Sequence, residues 1–120
     1  MGKRDRRRRR DESGSAPASA SSYTTHDGAV LTLRDELSAG TLQGLQRIDA
    51  KPAASAEDRW QRRVEYLFER LAVRWEIAGL PLEGQRELLG RYRMASADER
   101  RAVRAALAEH LRSRYPQVEL

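Results

Sequence analysis

The chain of 120 residues contains no cysteine. This excludes disulfides and thiolate metal ligands and suits a reducing compartment. It has no asparagine, two histidines and one phenylalanine, and arginine far outnumbers lysine, a skew that reads as compositional bias. No apolar run approaches the ~18–20 residues needed to cross a bilayer. The basic N-terminus leads into SGSAPASASS rather than an apolar stretch, so a secretory signal is not expected and a cytoplasmic location is. Catalytic signatures are missing as well. His26 and His110 fall in separate elements, and H-E-x-x-H, G-x-S-x-G and phosphate-loop patterns are absent. Beside Asp27-Gly28, His26 reads as a turn residue, and His110, three residues after Leu107, reads as a boundary residue of an apolar face. The acidic residues alternate with arginines at helical spacing, as on a solvated face. A non-enzymatic protein is expected, with no cofactor and no metal.

What the chain does have is charge, 34% of its residues, and its net excess is +5. Most of that excess is local. Residues 1–12 carry seven basic and three acidic side chains, whereas the remainder is nearly balanced. Residues 1–22 read as a disordered arginine-rich tail with a Ser/Ala linker. The run Arg6, Arg7, Arg8, Arg9 and Arg10 is a candidate nucleic-acid arm, able to neutralise phosphates without reading sequence.

The most strongly patterned stretch is Ser55 to Gly79. Trp60, Val64, Leu67, Phe68, Leu71, Trp75 and Ala78 recur at steps of three and four, which predicts one long amphipathic helix. Ser55 is its N-cap, Gly79 its C-terminal stop, and Pro81 bars continuation. Before it, Asp27-Gly28 predicts a tight turn with a short strand after it, Ala29 to Leu33. Leu37, Leu42, Leu45 and Ile48 predict a short helix from near Ser38, weakened by Gly40 and Gly44. After it, a helix over Gln85 to Ala95 places Leu88, Leu89 and Tyr92 on one face. Ser96 and Glu99 form a capping box opening a helix from Ala97 to about Tyr115. The expected fold is therefore mainly α: a single small domain over 23–115, three to four helices preceded by a short β-hairpin, and a frayed end at 116–120.

Two binding modes compete with plain core packing. The helices within 56–95 suggest a helix-turn-helix presenting Arg86, Arg91 and Arg93, although Glu83 and Glu87 would repel phosphate. Alternatively, Trp60 and Trp75 lie fifteen residues apart near opposite ends of one stripe, too far for so small a domain to cover both, which leaves aromatic area for a protein partner.

The segments Leu37-Ser38-Ala39-Gly40-Thr41-Leu42 and Trp75-Glu76-Ile77-Ala78-Gly79-Leu80-Pro81-Leu82, following a short strand and spanning roughly residues 28–110, resemble the tail assembly chaperones of long-tailed bacteriophages and prophages. Thr41 stands where that family usually has glutamate, and the arginine tail is not typical of it. The resemblance implies a non-catalytic assembly factor that binds an apolar helical tape measure protein and recruits tail tube subunits. On that resemblance the five stripe residues Trp60, Leu67, Phe68, Leu71 and Trp75 would make up core and partner-binding interface together. A nucleic-acid-associated protein acting through the arginine run is the alternative.

Overall fold

The computed structural model describes residues 19–52, 55–118 and 120. The arginine run Arg6–Arg10 lies outside these described residues. In chain order the elements are β1 (Ala20–Thr24), β2 (Val30–Arg34), α1 (Ala39–Ala50), α2 (Ala56–Leu71), β3 (Ala72–Ile77), β4 (Leu80–Glu83), α3 (Gln85–Arg93) and α4 (Ala97–Arg114). The strands form one antiparallel sheet in the order β1-β2-β3-β4. The expectation of a mainly helical fold with a single hairpin is thus overturned. The architecture is four helices packed on a four-stranded sheet.

The correction falls on the stretch that carried the clearest helical pattern. The helix α2 ends at Leu71, its last bond running from the Ala72 N–H to the Phe68 carbonyl. Ala72–Ile77 then continues as β3, with no intervening loop. Within β3, Val73, Trp75 and Ile77 alternate with Arg74 and Glu76, the period of a strand. Trp75 lies opposite Leu31 of β2 on one side and Leu82 of β4 on the other. Gly79 closes the β3–β4 hairpin rather than a helix, since Ile77 pairs with Leu80 and both Ala78 (φ 54°) and Gly79 (φ 78°) take positive φ. Pro81 sits on β4, an outer strand, where a missing N–H is tolerated. This hairpin separates α2 from α3, so residues 56–95 do not form a helix-turn-helix.

The first hairpin follows its turn signal. Asp27 (φ 56°) and Gly28 (φ 78°) both take the positive φ that the turn needs, and the Ala29 N–H bonds the His26 carbonyl at 3.1 Å. β1 nevertheless starts at Ala20, inside the stretch read as tail, and pairs along its length with β2. At the other end the chain is not frayed throughout. Val118 is buried, and its N–H reaches the Tyr115 carbonyl at 2.9 Å.

Three serine caps set where helices begin. The Ser38, Ser55 and Ser96 hydroxyls accept from the N–H groups of Thr41, Asp58 and Glu99 at 3.0, 3.0 and 3.1 Å. Glu99 also returns a bond to the Ser96 N–H, completing the capping box. Helices α1 and α2 approach closely at Gly44. A Cβ there would lie 1.9 Å from the Tyr66 hydroxyl oxygen, whose O–H donates to the Thr41 carbonyl at 3.1 Å. Gly44 therefore admits Tyr66, a packing role that outweighs its low helix propensity.

The core lies between the sheet and the helices. Leu31, Leu33 and Trp75 from the strands meet Val64, Leu67, Phe68 and Leu71 of α2, Leu88 and Tyr92 of α3, and Val103, Leu107 and Leu111 of α4. Phe68 is its hub, edge-on to Trp75 at 5.9 Å and stacked on Tyr92 at 5.0 Å between centroids. Residues Thr32, Arg74 and Glu76 alternate with the core-facing ones and put a polar surface on the other face of the sheet.

Candidate functional site

The five stripe residues have two different fates. Leu67, Phe68, Leu71 and Trp75 are at most 1% exposed, so their side chains belong to the core and offer a partner no surface. Only Trp60, in the second turn of α2, keeps part of its indole accessible while packing against the core edge. Large exposed apolar side chains are otherwise limited to Leu80 and Met94 among the described residues.

Trp60 forms one wall of a cleft of about 230 Å³ between α2, α3 and α4. The buried side chains of Val64 and Tyr92 are its floor, and Gln61, Glu65, Arg93, Arg100 and Arg104 complete the lining. The arginines come from positions that helical spacing brings together: Arg100 and Arg104 are one turn apart on α4. The Arg104 guanidinium lies over the Trp60 ring at 4.9 Å. Arg100 is held by the chain just before α4, its Nη1 donating to the Ala95 carbonyl at 2.6 Å. Arg93 donates through Nε and Nη2 to one oxygen of Glu65, at 3.1 and 2.8 Å, which raises its already high pKa further. Sequence reasoning reached Trp60 through periodicity but missed Arg100 and Arg104. The signal that could have found them is their four-residue spacing on the helix that the capping box announces.

A second cleft, of about 430 Å³, combines Arg34 and Arg70 with Glu36 and has no aromatic wall. Its charges are mixed, and it lacks the stacked arginine–indole arrangement of the first.

The buried histidine is structural in its bonding. His110 Nε2–H donates to the Arg34 carbonyl at 2.6 Å, which leaves Nδ1 to accept from the Tyr23 hydroxyl at 2.8 Å. Burial raises the Tyr23 pKa and keeps the phenol a donor. Next to it, Asp35 accepts from the Ser19 hydroxyl and from the Ser21 hydroxyl at 2.6 Å, and it forms an ion pair with Arg114 Nε at 3.1 Å. The two serine bonds are the main cause of its lowered pKa, with Arg114 adding to them. This cluster ties β1 and β2 to α4, and each ring nitrogen is engaged. His26 lies in the exposed 3₁₀ turn of the first hairpin.

Among the described residues, no group of three or more His, Asp or Glu side chains is placed to hold a metal ion. None of the described helices is long and apolar enough to cross a membrane. No protein-family model matches the chain, and no curated protein or solved structure does.

Proposed function

We propose that the protein is a non-enzymatic binding factor that recognises a protein partner through the surface around Trp60. The observation that carries this reading is the split within the α2 stripe. Its other large side chains are consumed by the core, whereas Trp60 stays half-buried on the rim of a cleft, stacked under Arg104. A partly exposed aromatic ring flanked by arginines is the composition that binding hot spots favour. Tyr23, Asp35 and Glu99, whose pKa values are shifted, are engaged in internal contacts, and Arg93, which lines the cleft, is taken up by its pairing with Glu65.

The sharpest form of this reading is the tail assembly chaperone that the sequence resembles. The geometry gives more support to a partner with polar, charged contacts than to a long apolar helix, because so little large apolar area is exposed.

The test is affinity capture from the source cells with the full chain and with Trp60→Ala, after nuclease treatment and at high salt. A protein retained by the wild type and lost with the variant is the expected result. Equal retention by both, or recovery only of nucleic acid, would sink the reading.

A further inference from the structure

We propose that the Trp60–Arg100–Arg104 cleft is a carboxylate-binding site, which takes the side chain of an acidic segment in the partner protein. The proposal rests on the protein-binding reading above and names the chemistry that the surface selects.

Charge comes first. Of the three arginines in the cleft, Arg93 is neutralised by Glu65. Arg100 and Arg104 have no carboxylate within ion-pair distance among the described residues, although Arg62, Arg74, Arg91, Arg101 and Arg114 each have one. Two guanidinium groups thus face one small cavity with their charge unanswered.

Both groups are also already in place. Arg104 is fixed by stacking on Trp60, and Arg100 by its bond to the Ala95 carbonyl. That bond occupies one N–H of five, leaving the rest of the fork for a ligand. Holding long side chains in position before binding removes much of the ordering cost that weakens most arginine contacts. Planar forks suit carboxylate oxygens, which accept two parallel N–H bonds.

Size and surroundings then choose among anions. A cavity of about 230 Å³ lies below the ~300–1,000 Å³ usual for cofactors and drug-sized ligands, and is on the scale of a side-chain head group. The helices that form it also carry Glu57 and Glu65 on α2 and Asp98 and Glu99 on α4. A phosphodiester chain laid across them would meet all of these carboxylates, whereas one carboxylate entering between Trp60, Arg100 and Arg104 would meet only Glu65, which Arg93 already pairs. The exposed part of the indole offers contact to an apolar neighbour of the acidic residue.

The experiment is an NMR titration of the full chain that follows the indole N–H signals and the arginine Nε–H signals. The probes are an acetylated, amidated tetraglutamate peptide, its tetraglutamine counterpart and a short single-stranded DNA. Saturable shifts at Trp60, Arg100 and Arg104 with tetraglutamate alone are expected, while the buried Trp75 indole stays fixed and reports an intact fold. Arg100→Gln combined with Arg104→Gln is expected to weaken binding by about tenfold or more, and Arg104→Lys to weaken it while keeping the charge. The proposal is overturned by tighter binding of the DNA at these signals, by shifts that the double variant leaves unchanged, or by no shift at about 10 mM peptide, a very weak affinity. It is also overturned, with the protein-binding reading intact, if a captured partner is lost with Trp60→Ala yet kept by the double arginine variant. Failure to capture any protein removes the protein-binding reading alone, and the titration decides the site by itself.

Discussion

Trp60 and Trp75 fall on the same three-and-four spacing and serve opposite purposes. Trp75 is 1% exposed, between Leu31 and Leu82 on the sheet and beside Phe68. Trp60 is only partly covered, and the Arg104 guanidinium lies over its ring. Truncating the buried ring is expected to cost about 3–5 kcal/mol, the usual range for a fully buried large aromatic. Trp60→Ala is expected to cost about 1–2 kcal/mol, since part of that ring is already hydrated. Denaturant unfolding of the two variants measures the difference, and equal losses would mean that the Trp60 indole is core. For this reason Trp75→Ala is a poor probe of binding, because it removes the fold along with any partner. Periodicity located both residues and could not tell them apart, since burial depends on which elements lie opposite.

At the scale of elements, the signals that worked were those whose physics is local. Each serine cap bonds an N–H three residues on, and the Asp27-Gly28 turn needs only its own backbone angles. The boundary between α2 and β3 is different. The step from Leu71 to Trp75 continues the helical stripe, while Val73, Trp75 and Ile77 fit a strand equally well, and no breaker stands between Leu71 and Ala72. The tie is resolved by β2, nearly forty residues earlier in the chain, which pairs with Ala72–Glu76. Such non-local pairing is what makes strand preference depend on context. The second hairpin was hidden for a related reason, since its turn opens with Ala78 rather than Asn, Asp or Gly. An alanine in the left-handed region costs roughly 1 kcal/mol, which asparagine partly avoids. Ala78→Asn is therefore expected to raise stability by about 0.5–1 kcal/mol, read as a higher Tm in thermal melts. A lower Tm would show that the turn depends on something other than its backbone angles.

Across the whole molecule, polar contacts join the first strand to the last helix. Asp35 draws Ser19, Ser21 and Arg114 together, His110 bridges Tyr23 and Arg34, and the Leu37 N–H donates to the Tyr115 hydroxyl at 2.8 Å. None of these partnerships was legible in the sequence, because each joins residues that are distant along the chain and depends on the sheet being complete. They do carry a pH signature. Asp35 has a lowered pKa in the folded state, as does Glu99, the latter mainly through the Ser96 N–H and then Arg91. A carboxylate with a lowered folded pKa contributes stability above its ordinary value, near 4, and that contribution is lost as pH falls through the folded value. Thermal stability is expected to drop as pH is taken from neutral to below 4, and Asp35→Asn to be less stable at neutral pH with a flatter acid limb. An unchanged acid limb would remove Asp35 from the explanation.

The direct passage from Leu71 to Ala72 has a consequence for phase. A helix turns by about 100° per residue and a strand by about 180°, and at this seam the two periods are joined with no loop, only a register shift at Val73, which lies between the Leu33–Ala72 and Thr32–Arg74 pairs. One added residue would either swing Leu67 and Phe68 around the axis of α2 relative to the sheet or turn Trp75 to the polar face. The helix that supplies the core and the strand that completes the sheet are therefore locked in a single register. Any repositioning of Trp60 on the far end of α2 is geared, through that seam, to the sheet itself.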